Sequence, residues 1–190
     1  SVSAQSCAGI FTVNGASGVV SIATSPDYET TGASCTVTVL ATSSDTSTAS
    51  ETFTVAITNI APTLTDDDTG TVSETAANAA SIVDLGNSGD SDGLTWSITA
   101  GNLDPDGDDN KVFAINAGTG VITVNDADDL DYETTTSYSL TVRVTDGTTN
   151  SDETITVAVT NIAPTLTDDD TGAVSETSTA TTTVVDLANT

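Results

Sequence analysis

The chain has 190 residues, of which 28 are Asp or Glu and only two are basic, so its formal net charge is −26. Such an acidic surface repels nucleic acid and anionic membranes, and no run of about 18 apolar residues is present, which excludes nucleic-acid partners and membrane insertion. No His is available as a general base, whereas carboxylate oxygens, the ligands that Ca²⁺ prefers, are abundant.

The first third of the chain contains short strands and two Cys residues. Cys7 precedes a predicted strand at Phe11, and Cys35 takes an inward position in a later alternating strand. In a Thr- and Ser-rich chain of secreted character, a Cys7–Cys35 disulfide is the first interpretation. The alternative is a pair of unbridged thiols that act as small apolar side chains. An extracellular location is predicted on the same grounds.

Further along the chain, apolar residues alternate with polar ones in short runs bounded by Gly, Asp, Asn or Pro, and no segment has a helical period. About seven such strands per hundred residues predict an all-β fold, an antiparallel Greek-key β-sandwich. The clearest runs place their apolar side chains at Leu94, Trp96 and Ile98, at Tyr138, Leu140, Val142 and Val144, and at Ile155, Val157 and Val159.

The sequence repeats itself. Residues 52–68 return as residues 154–170 with two changes, and Pro62 and Pro164 are 102 positions apart. We therefore predict tandem sandwich repeats of about 102 residues. Their predicted boundaries are a partial repeat lacking its first two strands (1–60), a complete repeat (61–162), and the first two strands of a further repeat (163–190).

The phase of the repeat leaves two interpretations open. In one, residues 1–190 are a window on a longer tandem array, such as an adhesin. In the other, residues 163–190 of one subunit complete the partial repeat of the next subunit. Strand donation of this kind would build a head-to-tail homopolymer.

Five separated motifs in the complete unit resemble the bacterial cadherin-like repeat, which supports a cadherin/Ig-like sandwich. The match covers the complete unit and parts of both partial ones. The motifs are Val-Ser-Glu (72–74), Gly-Asp-Ser-Asp-Gly (89–93), Phe-x-Ile with Gly-x-Ile (113–122), Leu-Asp-Tyr-Glu (130–133) and Tyr-x-Leu-x-Val-x-Val-x-Asp-Gly (138–147).

This resemblance implies Ca²⁺ bound at the junctions between successive repeats. Its motifs assign Asp27, Glu29, Asp90, Asp92 and Asp146 to the first junction, and Glu74, Asp131 and Glu133 to the second. In a filament, Glu176 of one subunit would join Asp27 and Glu29 of the next. Because Asp131 and Glu133 are two positions apart, we expect them on a strand end with both carboxylates on one side. Grouped anions of this kind call for a divalent cation.

Other parts of the sequence are less specific. The aligned linkers are less acidic than the family pattern and retain only Asn59 and Asn161 as ligands, so fewer ions per junction are expected. Residues 104–110 form an acidic insertion that is either a Ca²⁺-binding loop or a solvated turn, and Asp126, Asp128 and Asp129 are ambiguous in the same way. The acidic runs at 66–68 and 168–170 are interpreted as guards of edge strands.

The sequence favours one of three classes of function. Near-identical repeats without a catalytic constellation favour a structural or adhesive extracellular filament, whose partners are its own copies or neighbouring repeats. A carbohydrate-binding module that takes cell-surface glycans is the alternative, although aromatic residues are only 4% of the chain. An enzyme is not expected, because no Ser/His or Cys/His set exists.

Overall fold

A computed structural model describes residues 1–65, 69–165 and 173–181. The acidic runs at 66–68 and 168–170 lie outside these residues, as does much of the predicted segment 163–190. Residues 173–181 form turns and contain no strand.

The first unit consists of five strands and one helical turn. They are β1 (Val2–Gln5), β2 (Phe11–Val13), β3 (Val20–Ile22), α1 (Tyr28–Thr31), β4 (Ser34–Thr42) and β5 (Thr48–Ala56). The second, complete unit follows with β6 (Thr63–Leu64), β7 (Thr69–Ser73), β8 (Ser81–Asp84), β9 (Asn87–Ser88), β10 (Thr95–Ala100), β11 (Phe113–Ile115), β12 (Val121–Val124), β13 (Ser137–Thr145) and β14 (Asn150–Thr160).

The complete unit is the predicted β-sandwich. One sheet has the strand order β10-β13-β14-β7, the other has the order β11-β12-β8, and β6 pairs with β9. The prediction of an antiparallel sandwich holds with one exception, because β7 runs parallel to β14. A tandem repeat must receive the chain at one end and release it at the other. Its first long strand and its last strand therefore run in the same direction.

The core of this unit is formed by apolar side chains at every second position of its strands. In β13, Tyr138, Leu140, Val142 and Val144 are all at most 2% exposed, while the residues between them are not buried. Successive side chains of a strand point to opposite faces, so one face packs against the other sheet. Tyr138 also meets Phe113 of that sheet edge to face, with ring centroids 5.0 Å apart.

The first unit has the same plan with fewer strands. Among the described residues, β5 pairs only with β4, and β3 pairs only with β2. Phe53 of β5 is consequently 37% exposed, whereas its counterpart one repeat later, Ile155, is 1% exposed. The buried core of this unit comprises Ile10, Phe11, Cys35 and Val37.

The predicted disulfide is present. Cys7 lies in the connection between β1 and β2, and its sulfur is bonded to that of Cys35 in β4. Cys35 is 1% exposed, so the bond is anchored in the small core. It closes a loop with a sequence separation of 28 residues.

We predict that reduction destabilises the first unit selectively. Opening a loop of this length should lower its free energy of unfolding by about 3 kcal/mol on the chain-entropy model. Urea denaturation with and without reductant, followed by hydrogen exchange of each unit, measures the effect. The complete unit has no Cys and serves as the internal control. Equal protection of the first unit in both conditions would contradict the prediction.

Candidate metal centre at the repeat seam

Carboxylates from both units converge where the first unit meets the second. Oxygens of Asp27, Glu29 and Asp92 lie within 4.8 Å of one another, and so do oxygens of Glu29, Asp90 and Asp146. The two groups share Glu29 and together contain all five residues that the sequence assigned to the first junction. We call this cluster the first seam.

Asp27 and Glu29 are placed by a helical turn and not by a strand end. Asp27 is the N-cap of α1, and its carboxylate accepts hydrogen bonds from the Thr30 amide (3.0 Å) and the Thr30 hydroxyl (2.8 Å). In the second unit, Asp131 accepts the same two bonds from Thr134, at 3.2 and 2.8 Å. The expectation that Asp131 and Glu133 lie on a strand end was therefore wrong. An Asp three positions before a Thr caps a turn, which overrides the two-residue spacing.

Asp90 and Asp92 come from the loop between β9 and β10. Asp90 Oδ1 accepts a hydrogen bond from the Ser91 amide at 2.8 Å, whereas Asp90 Oδ2 is buried without any partner. A buried carboxylate oxygen without a donor is costly, so its presence in an acidic cluster supports a cation site. Gly89 sets the position of this loop, since a Cβ at Gly89 would lie 2.4 Å from the Ala61 carbonyl oxygen of the linker.

Asp146 ties the seam to the linker between the units. It is 4% exposed, and it accepts hydrogen bonds from the amides of Thr148 (2.7 Å) and Thr149 (2.6 Å), from the Thr149 hydroxyl (2.7 Å), and from Asn59 Nδ2 (3.1 Å). Asn59 belongs to the linker, 87 positions earlier. Its amide nitrogen thus orients Asp146, a role that the sequence alone did not suggest.

The carboxyl groups of the first seam differ in the direction in which their pKa values are shifted. The Thr149 amide makes the largest contribution to holding the pKa of Asp146 well below its usual range. The hydrogen bonds from the Thr149 hydroxyl, the Thr148 amide and the Asn59 side chain act in the same direction. Partial loss of hydration raises the pKa of Glu29, and repulsion by the neighbouring Asp90, Asp146 and Asp27 adds to the rise. The neighbouring Asp90 carboxylate also raises the pKa of Asp92, first because a proton on Asp92 could be shared with it and then through charge repulsion. A cation bound at this point would offset the repulsion and lower the pKa values of both Glu29 and Asp92.

The residues predicted for the second junction lie around the start of the next linker, but among the described residues Glu74, Asp131 and Glu133 form no converging group of carboxylate oxygens. Glu74 Oε2 accepts a hydrogen bond from the Tyr132 amide at 3.2 Å, and Glu74 Oε1 accepts one from the Ile162 amide. Asn161 Nδ2 donates to Glu133 Oε1 at 3.3 Å. These contacts place Glu74 beside the turn that carries Asp131 and Glu133.

Glu176 is exposed in the turns of residues 173–181 and joins no group of converging carboxylates in the part of the chain that the structure describes. The sequence alone does not show whether the Asp129 side chain is solvated or binds an ion, and in the structure it is only 5% exposed. No local sequence pattern marks this carboxylate as buried, because its burial depends on packing by another strand.

The fold and this seam define a class: tandem β-sandwich repeats joined by short linkers, with acidic groups concentrated at the joints. The cadherin domain profile matches residues 68–162, half of the chain. The chain therefore belongs to the cadherin family, whose repeats are extracellular adhesion domains and not enzymes. No helix among the described residues is long and apolar enough to cross a membrane.

Several solved structures are similar to this chain. Mouse clustered PcdhgC3 EC1-3 is 18% identical, with a TM-score of 0.46, and the match covers 85% of this chain and 53% of that one. Chicken VE-cadherin EC1-2 is 20% identical, with a TM-score of 0.45, and the match covers 83% and 81%. Human Protocadherin-24 EC1-2 is 18% identical, with a TM-score of 0.45 and coverage of 84% and 81%. No curated protein sequence matches the chain.

We predict that Gly89→Ala disturbs the first seam. The new Cβ would collide with the Ala61 carbonyl and strain a backbone with φ of 83°, so the loop carrying Asp90 must move. Strain of this kind costs about 1–3 kcal/mol. Urea denaturation of the second unit measures the loss.

Gly93→Ala is the matched control. Gly93 has φ of 63°, but a Cβ there would meet no atom within 4 Å. Gly93→Ala therefore carries the backbone penalty without the collision. Equal destabilisation by the two substitutions would refute a role for the contact between Gly89 and the linker.

Proposed function

We propose that this chain is an extracellular structural or adhesive protein whose cadherin repeats are stiffened by Ca²⁺ at their seams. The observation that supports this most is the convergence of Asp27 and Glu29 from one unit with Asp90, Asp92 and Asp146 from the next. Like charges held this close repel one another, and a divalent cation turns that repulsion into attraction. Because its ligands come from both units, the ion also fixes one unit against the other.

The chemistry of the cluster favours Ca²⁺ among the biological cations. Every ligand is a hard carboxylate oxygen, and the chain has no His, while its two Cys residues form a disulfide. Soft or borderline transition metals select nitrogen and sulfur ligands, and Mg²⁺ demands a strict octahedron with several waters. Ca²⁺ accepts six to eight oxygens in irregular geometry, which fits carboxylates gathered from a helical turn of one unit and two loops of the next.

We predict that Ca²⁺ stabilises the chain through the first seam. At a free concentration 100 times the Kd, each bound ion adds about 2.7 kcal/mol to the free energy of unfolding. The double substitution Asp90→Asn with Asp92→Asn should abolish the increase contributed by this seam and leave the melting temperature in EGTA unchanged or higher. Scanning calorimetry in CaCl₂ and in EGTA measures both quantities.

The control is the double substitution Asp45→Asn with Asp84→Asn. It removes the same number of charges from exposed positions that belong to no converging group of the described residues. This variant should keep the full response to Ca²⁺. A wild-type chain whose melting temperature is the same in CaCl₂ and in EGTA would sink the proposal for the seam.

We propose further that copies of the chain join head to tail by strand donation. In the complete unit, β7 covers the edge of β14, and β8 covers the edge of β12. The corresponding edges of the first unit, on β5 and β3, have no partner strand among the described residues. The exposed apolar side chains of Ile22 and Phe53 belong to these two strands, and exposed Val19 directly precedes β3. Unpaired edges with apolar side chains are templates for an added strand.

The occupant that fits best has the sequence of β7 and β8. Residues 171–175 repeat the β7 sequence with the single change of Thr71 to Ala173, and residues 183–186 repeat β8 as Thr-Val-Val-Asp. In the complete unit Thr71 pairs with Ala158. The equivalent pair in a filament joins Ala56 of one copy to Ala173 of another. Glu176 would then approach Asp27 and Glu29 of the accepting copy, which links Ca²⁺ binding to polymerisation.

We predict that the variant Ala56→Cys with Ala173→Cys forms a covalent ladder of multimers under mild oxidation. Ala158 and Thr71, which define the register, are not buried, so a bridge there would not disturb the core. Non-reducing electrophoresis and electron microscopy are the measurements. The variant Ala49→Cys with Ala173→Cys is the control, because Ala49 lies at the other end of β5.

Two experimental outcomes would count against strand donation. A purified chain near 19.0 kDa that stays monomeric and forms no ladder would refute it. Natural material many times larger would favour a long tandem adhesin, in which the preceding part of the same polypeptide supplies the two strands. Glycan binding has weaker support, since Phe53 is the one aromatic among the exposed large apolar side chains described.

A further inference from the structure

An acidic loop of the complete unit contains none of the residues assigned to either seam. Residues 104–110 connect β10 to β11. Carboxylate oxygens of Asp104, Asp106 and Asp108 lie within 4.8 Å of one another. Gly107, with φ of 79°, allows the loop to turn back so that its amide donates to Asp104 Oδ1 at 2.9 Å. On its own, such a cluster is common at protein surfaces.

A buried carboxylate faces this loop from the body of the sandwich. Asp129 is 5% exposed, and its Oδ1 accepts a hydrogen bond from the Asp106 amide at 3.2 Å. Its other oxygen, Oδ2, is buried and has no hydrogen-bond partner. The Tyr138 hydroxyl donates to the Asp129 main-chain oxygen at 3.0 Å, which fixes the residue to the core. Asp129 is thus held against the acidic loop with an oxygen unsatisfied.

The charges around Asp129 make the missing partner a cation. The loop beside Asp129 brings three more negative charges, because oxygens of Asp104, Asp106 and Asp108 lie within 4.8 Å of one another. The basic group near the loop is Lys111, whose Nζ lies 3.6 Å from Asp104 Oδ2 with 53% of its side chain exposed. One exposed ammonium group stabilises its partner only weakly, so it cannot offset the charge of the three loop carboxylates and Asp129. Buried anions in proteins are ordinarily paired or bound to a metal ion.

We propose that Asp104, Asp106, Asp108 and the buried Asp129 form a Ca²⁺ site within the repeat, separate from the seams. The ligands are all hard oxygens, and three of them alternate along a short loop with a Gly at its turn, an arrangement suited to Ca²⁺. Asp129 anchors the ion to the sandwich, so that binding fastens the loop to the core.

The first unit gives this site a structural counterpart. Cys35 pairs with Val55, and Tyr138 pairs with Val157 one repeat later, so Cys35 takes the place of Tyr138 in the sandwich. Cys7 lies in the connection between β1 and β2, which corresponds to the connection that carries the acidic loop. The first unit therefore fastens this connection to its fourth strand by a disulfide. In the complete unit, Tyr138, Asp129 and the proposed ion fasten it instead.

Hydrogen exchange of the loop in CaCl₂ and in EGTA tests the proposal on the whole chain. Ca²⁺ at a free concentration 100 times its Kd should slow exchange of the amides of residues 106–110 by about 100-fold in the wild type, since the loop then opens only after the ion has left. Asp129→Asn should abolish the slowing and remove one Ca²⁺ per chain in equilibrium dialysis. In EGTA it should melt at the same or a higher temperature, because it removes a repelled charge.

Two further variants keep the test decisive. Asp106→Asn with Asp108→Asn changes only exposed side chains of the loop and should abolish the slowing even if Asp129→Asn fails to fold. Asp128→Asn alters an exposed carboxylate one position from Asp129 and should retain the wild-type response. Equal exchange of the loop in CaCl₂ and EGTA in the wild type would overturn the proposal. Full Ca²⁺ binding by both Asp129→Asn and the double variant Asp106→Asn with Asp108→Asn would also overturn it. Loss of the seam response alone would leave it standing.

Discussion

Repulsion between carboxylates that the backbone holds together is the interaction on which the seam depends. Thr30 fixes Asp27, the amides of Thr148 and Thr149 fix Asp146, and the Asp90 carboxylate keeps one buried oxygen without a donor. These side chains cannot turn away from one another without losing their own hydrogen bonds. The fold therefore maintains a concentrated negative charge that a mobile cation can neutralise. On the proposal that Ca²⁺ binds there, two units linked in this way are stiff against each other only while the ion is bound.

The position of that charge follows from the strand order. Because β7 and β14 are parallel, the chain enters each sandwich at one end and leaves at the other. Successive units must then meet end to end, where turns and loops are exposed. The linker is short, and it participates in the joint through Asn59 and through the close approach of Ala61 to Gly89. Because the joint is built from both units and the linker, the proposed cation would fix the orientation of one unit relative to the other.

Much of this architecture could be predicted from the sequence. Inward positions such as Leu140 and Ile155 repeat with period two, and the 102-residue repeat carries each motif from one unit to the next. The conformation of the ligand turns could not be read from spacing alone, because the capping bonds of Thr30 and Thr134 replace the expected strand ends. The parallel pair and the burial of Asp129 were also missed. Both depend on contacts between residues far apart in the chain, which local patterns do not report.

The two units solve one mechanical problem with different chemistry. The long connection between β1 and β2, and its counterpart between β10 and β11, is tethered only at its ends, so a small sandwich gains stability when that connection is fastened to the core. In the first unit, whose core is reduced, a covalent bond from Cys7 to Cys35 does this without regard to solution conditions. In the complete unit, Tyr138 occupies the place of Cys35 and holds Asp129 against an acidic loop. With the proposed Ca²⁺ sites, the stability of the complete unit responds to cations at this loop and at the seams, whereas the disulfide of the first unit is not removed by chelation.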